Sequence, residues 1–225
     1  MRTLSTLLGA LALASVSMAQ AVVIPSTALG PFAGTSGNYF TAAGINRFQM
    51  IYDTSSFTSQ GVLAPINITN VQFLYGGSPT PTSIMTYPSV TVYLQQSAVD
   101  YAAQSTTFAA NRTVAFPTTP NFTGPATMIN GTYFVDIALT TPFAYDPTTG
   151  IDLLIEVEVN GAPTPALAAN LAGCTFTATP PANACNVKRS VGSITAGTGA
   201  NSAFVPIVNL LYGSVPNAAS YQNLG

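Results

Sequence analysis

Between Ile151 and Val159 the chain alternates. Ile151, Leu153, Ile155, Val157 and Val159 fall on one face, while Asp152, Glu156 and Glu158 share the other with Leu154. Successive side chains of a strand point to opposite faces, so period two predicts a β-strand with a buried apolar face and a wet acidic one. The same spacing predicts Glu156 and Glu158 to be exposed. Thr132 to Leu139 repeats the pattern, with Tyr133, Val135, Ile137 and Leu139 on one side and Asp136 on the other. Between the two lies Tyr145-Asp146-Pro147-Thr148-Thr149-Gly150, with Pro and Gly where turns want them. The two segments are therefore expected as neighbouring antiparallel strands.

Further strands are predicted at Ile45–Tyr52, Ile66–Tyr75, Ser89–Gln95, Val187–Thr195 and Ala203–Tyr212. In the second of these the apolar parity switches, from Ile66 and Ile68 to Val71, Phe73 and Tyr75, which predicts a β-bulge near Asn70. Pro206 cannot donate to a ladder and is expected at an edge or a bulge. Asn130-Gly131 and Asn160-Gly161 suit tight turns or loops. The best helical candidate, Ser97 to Ala110, has neither a start cap nor an apolar stripe. Short strands with loops of this chemistry predict an all-β fold, an antiparallel β-sandwich or jelly roll, as a single domain with long loops over residues 22–225.

Only 5% of the 225 residues are charged, against about 25% in an ordinary soluble domain. With 48% hydrophobic residues the chain can still bury a sizeable core, so low charge here does not signal disorder. Five Lys and Arg, with no cluster beyond Lys188-Arg189, exclude nucleic acid as a partner, because affinity for phosphate backbones needs many cations.

Residues 1–21 read as an export signal: Arg2, an apolar stretch from Leu7 to Val16, and small residues at Ser17-Met18-Ala19 and Ala19-Gln20-Ala21. The apolar stretch is too short for a membrane span, and no other segment of the mature chain is apolar enough for one. A secreted, extracellular or cell-surface location follows. Export places Cys174 and Cys185, the two cysteines of the chain, in an oxidising setting, where a pair closing a short loop is expected as a disulfide.

Arg47-Phe48-Gln49-Met50-Ile51-Tyr52-Asp53, then Phe57, then Ile68-Thr69-Asn70-Val71-Gln72-Phe73, resembles the opening of a type of exported bacterial β-sandwich protein that often carries a C-terminal Pro-Glu-Pro (PEP-CTERM) sorting signal. The resemblance continues through Val90-Thr91-Val92-Tyr93-Leu94, Phe108-Ala109-Ala110-Asn111 and Phe134 to Val157. It implies a secreted or surface module without known chemistry. The closing Tyr221-Gln222-Asn223-Leu224-Gly225 lacks the sorting motif, so release or attachment through a partner is expected as readily as surface retention.

The chain has no His, which removes Ser-His-Asp and Cys-His catalysis and the commonest general base near neutral pH. No cofactor is expected. Glu156 and Glu158, two apart on one strand, would place carboxylates roughly 6–7 Å apart, near glycoside-hydrolase separations. Such enzymes draw their acid and nucleophile from different strands, so a hydrolase is the least favoured reading. Asp136, Asp152, Glu156 and Glu158 are weak calcium candidates if their strands pair. Tyr87, Tyr93 and Tyr101 are weak candidates for stacking on sugar rings. The leading expectation is a non-enzymatic secreted or cell-surface structural protein, with self-association as its partner mode. A glycan-binding β-sandwich module is the alternative.

Overall fold

The computed structural model describes residues 19–25, 34–40, 44–76, 85–110, 112–124, 127–129, 132–165, 169–175, 184–202 and 204–215. Fourteen strands appear among them. The first half of the chain supplies β1 (Gln20–Ile24), β2 (Gly34–Phe40), β3 (Asn46–Tyr52), β4 (Ile66–Leu74), β5 (Met85–Gln96) and β6 (Thr113–Gly124). The second half supplies β7 (Thr127–Ile129), β8 (Thr132–Tyr145), β9 (Leu153–Asn160), β10 (Ala169–Thr175) and β11 (Cys185–Val191). The last three are β12 (Ala200–Ser202), β13 (Phe204–Pro206) and β14 (Val208–Ser214). Among the described residues, helix is confined to a single turn, α1 (Ser55–Thr58), and 3-10 turns at Tyr101–Ala103 and Pro147–Thr149. The segment Ser97–Ala110 is thus a loop around one 3-10 turn rather than a helix.

The strands pair antiparallel in three sheets: β1-β14-β4-β8-β7, β13-β10-β2, and β12-β11-β3-β9-β5-β6. The six-stranded sheet turns Phe48, Met50, Tyr52, Val92, Leu94, Ile155, Val157 and Val187 inward, and the others answer with Ile68, Val71, Phe73, Ile137, Leu171, Val205 and Leu210. Edge-to-face contacts lock the middle, with Phe40 5.8 Å from Phe73 and 6.0 Å from Phe48. This is an antiparallel β-sandwich.

The expected bulge is present. Ile68 and Asn70 pair with Tyr212 and Leu211, so Thr69 is the extra residue that reverses the parity. Pro206 lies in β13, an edge strand. Ile129 stands opposite Thr132, and the Asn130-Gly131 turn between them lies outside the described residues. Gly161, at a φ of +98°, opens a loop and not a hairpin.

Two expectations are corrected. β8 pairs with β4 and β7, while β9 pairs with β3 and β5, so the Asp136 and Asp152 segments belong to different sheets. The turn between them is real: Asp146 caps the 3-10 turn and Gly150, at φ +73°, ends it. It carries the chain across the sandwich instead of folding it back. The second correction concerns β9, where every residue from Leu153 to Val159 is buried. Ile151, expected in the core, is 39% exposed and lies before the strand.

Candidate functional site

The face of β9 opposite the core is covered by the loop from Ser97 to Ala110 and by Arg112. The cross-strand row there runs Lys188–Gln49–Glu156–Tyr93, with Arg47 opposite Glu158 in the next row. Glu156 is fully buried and Glu158 is 8% exposed, against the expected solvated surface. Their charges are met by arginine. Arg47 Nε donates to Glu156 Oε1 at 2.8 Å, and Arg112 Nη1 donates to Glu158 Oε1 at 2.8 Å and also contacts Glu156 Oε1. Gln49 Nε2 donates to Glu156 Oε2 at 2.6 Å, and Tyr93 Oη to Glu158 Oε2 at 3.1 Å.

The loop is held by the sheet it covers. Phe108 packs under the Arg47 guanidinium, 4.0 Å from ring centre to Cζ, and its N–H donates to Gly197 O at 3.0 Å. Lys188, 3% exposed, donates to Ser105 O at 3.0 Å and to Thr107 O. Burial, then the nearby Arg47, pushes its amine down to about 8. Gly199 fits where no side chain could, since a Cβ there would lie 2.8 Å from Arg189 O and 2.9 Å from the Phe108 ring. Ile51, Tyr101, Leu154 and Ala184 form a small second core beneath the same loop.

A recess of about 90 Å³ remains between loop and sheet, lined by Gln49, Gln95, Gln104, Ser105, Thr107 and Lys188 among others. Gln95 Oε1 and Gln104 Oε1 are buried there without a protein partner. The space suits waters or a very small product and is well short of the several hundred Å³ that sugars and similar ligands need.

The calcium candidates do not assemble as a set. Asp136 accepts from Asn70 Nδ2 at 3.2 Å in the five-stranded sheet, and Glu156 and Glu158 are taken by the arginines. Asp152 instead meets Asp53 and Asp100, and these carboxylates lie within 4.8 Å of one another. They come from three connections, just after β3, just after β5 and just before β9, which no sequence spacing could reveal. Asp152 accepts from Tyr101 N at 2.8 Å and Thr54 N at 3.3 Å, yet burial and the two neighbouring carboxylates push it up to about 6. Of the residues described, these three are the ones that could hold a hard cation together.

The sugar-stacking expectation is corrected as well. Tyr87 is fully buried, its ring 5.6 Å from Phe40, and Tyr101 is 2% exposed in the second core. Tyr93 is half-buried with the Arg112 guanidinium 3.8 Å over its ring. Tyr87 and Tyr101 present no open face, and the arginine takes one face of Tyr93.

The two cysteines stand near each other at the junction of sheets, β10 in the three-stranded and β11 in the six-stranded one. Both are buried, with Sγ atoms 3.7 Å apart, outside the ~2.05 Å of a disulfide. Between them, residues 176–183 lie outside the described residues. No family model matches the chain, and no curated protein matches it.

Proposed function

We propose that the protein is a non-enzymatic structural component that is exported and self-associates outside the cell. One observation carries this reading, the placement of charge. Past Arg2 the chain has eleven charged side chains, and five of them, Arg47, Asp152, Glu156, Glu158 and Lys188, are less than a tenth exposed. Six charged side chains are left unburied, two arginines and four aspartates, and so sparse a charge weakens the like-charge repulsion that keeps protein molecules apart. The acidic pair Glu156 and Glu158 is neutralised by arginine under a loop, which favours a structural role over a catalytic one. Among the described residues no helix is long and apolar enough to cross a membrane.

The mature protein is expected to gain mass with concentration in multi-angle light scattering, and the association should change little between low and high salt. A monomer that persists at high micromolar concentration would refute the assembly reading. A glycan-array screen is expected to be negative, because Tyr87 and Tyr101 are buried and Arg112 occupies a face of Tyr93.

Export carries two finer expectations. β1 begins at Gln20 and pairs with β14 over its whole length. Cleavage after Ala19 leaves that strand intact, whereas cleavage after Ala21 removes two of its five residues. N-terminal sequencing of secreted protein should therefore begin at Gln20. Under an exported dithiol oxidant, Cys174 and Cys185 should close to a disulfide tying β10 to β11. Non-reducing peptide mapping reads the bond directly, and its reduction should lower stability by about 2–3 kcal/mol. Recovery of both thiols unmodified from secreted protein would count against it.

A further inference from the structure

We propose that Lys188 and Gln49 condense into an intramolecular isopeptide bond, with Glu156 moving the proton and ammonia leaving. The three residues sit side by side on β11, β3 and β9 in one cross-strand row, on one face, each no more than 3% exposed. Directly opposed side chains on neighbouring strands start about 5 Å apart at Cβ, within reach of a lysine stem.

Each chemical role has an occupant. The amide carbon of Gln49 is the electrophile. Its Oε1 accepts the Ala109 N–H at 3.3 Å, a donor placed where negative charge would develop. Its Nε2, the leaving nitrogen, donates to Glu156 Oε2 at 2.6 Å. Glu156 Oε1 takes the arginine contacts, which leaves Oε2 turned to the amide. Lys188 is the nucleophile, and burial leaves more of its amine neutral near pH 8 than in an ordinary lysine.

In the reaction the lone pair of neutral Nζ forms a bond to Cδ, and the carbonyl electrons move to Oε1. Glu156 takes a proton from Nζ and hands it to Nε2. The Cδ–Nε2 bond breaks as the carbonyl re-forms, and ammonia departs, with the recess lined by both residues as its space. Glu156 ends unchanged and no oxidant or cofactor is consumed. Nζ must first turn from the carbonyls of Ser105 and Thr107, a rotation about its own flexible stem. The product would tie β11 to β3 covalently. It does not depend on self-association, so the two readings fail separately.

The test is tryptic mapping by mass spectrometry of purified, reduced full-length mature protein after incubation at pH 7 and pH 9. Wild type should yield residues 48–112 joined to residues 113–189, lighter than the sum by one ammonia, with cleavage at Lys188 blocked. The linked fraction should grow faster at the higher pH. Because an N-terminal glutamine can also lose ammonia by cyclising, the joined fragment decides, not the intact mass. Lys188→Arg keeps a cation for the two carbonyls but cannot form the amide, so it should fold and give no joined fragment. Free fragments 48–112 and 113–188 from folded wild type after prolonged incubation at pH 9 would overturn the proposal. So would a joined fragment that persists in Lys188→Arg.

Discussion

Replacing Glu156 and Glu158 together by Gln is expected to lower the unfolding free energy by about 3–5 kcal/mol, measured by urea denaturation at pH 7. The magnitude follows from what is left behind. Arg47 is 7% exposed under the Ser97–Ala110 loop and Arg112 beside it is half-covered, and both lose their counter-charges. An uncompensated buried cation costs far more than an exposed pair contributes, since exposed pairs are worth about 0–1 kcal/mol. Glu156 should dominate, because it is fully buried and meets Arg47, Arg112 and Gln49 at once. Glu158, nearer the surface and held by Tyr93 and Arg112, should contribute less. Replacing Arg47, Arg112, Glu156 and Glu158 all by apolar residues of similar volume should cost less than the double Gln change, because no charge is then stranded. A loss under about 1 kcal/mol for the double change would mean a solvated acidic face. That result would also remove the physical basis for placing the protein's charge inside.

That face shows where sequence reading reaches its limit. Period two located β9, and the parity switch placed a bulge near Asn70, one residue from Thr69, because both are properties of neighbouring residues. Pro206 declared an edge through its missing N–H. Nothing local says what lies on top of a strand. Glu156 and Glu158 looked like a wet face because carboxylates alternate with Val and Ile, and their cover comes from Arg47, Phe108 and Arg112, remote in sequence. Arg47 carried a signal, as a lone cation beside Phe48 in an otherwise uncharged strand, but a lone arginine is equally at home on a surface. Strand partnership failed for the same reason. Tyr145 to Gly150 has turn chemistry whether the chain folds back beside β8 or crosses to the opposite sheet, and only the packing of both sheets decides. The junction of Asp53, Asp100 and Asp152 is wholly non-local, assembled from three loops that no motif joins. The tyrosines differ again: Tyr87 and Tyr93 both lie on β5, one turned to the core and one to the arginine, because the parity switches at Pro88–Ser89, where Tyr87 and Val90, three apart, both enter the core.

The aspartate junction makes stability run downhill with pH over a defined window. Asp152 is pushed up to about 6, first by burial and then by Asp53 and Asp100, against the lowering effect of the Tyr101 and Thr54 N–H groups. An unfolded aspartate titrates near 3.9, so between about pH 4 and 6 the native protein binds a proton that the unfolded chain has lost. The stabilisation this gives is therefore complete below pH 4 and is lost as pH rises through 6. The full shift corresponds to about 3 kcal/mol, and solvent around the more exposed Asp53 and Asp100 brings the expected figure to about 1–2 kcal/mol. The quantity to measure is a difference between variants, which isolates Asp152. Unfolding free energies of wild type and Asp152→Asn should be compared from pH 4 to pH 8. The wild-type advantage should shrink by that amount across the window and stay flat above it. Asp100→Asn keeps an acceptor for the Ala102 N–H while removing one neighbouring charge, so it should reduce the slope without abolishing it. An advantage that grows with pH would mean that Asp152 is held charged, as it would be with a cation bridging the three carboxylates. Chelator would then remove the growth, and the account of a protonated, self-repelling junction would be wrong.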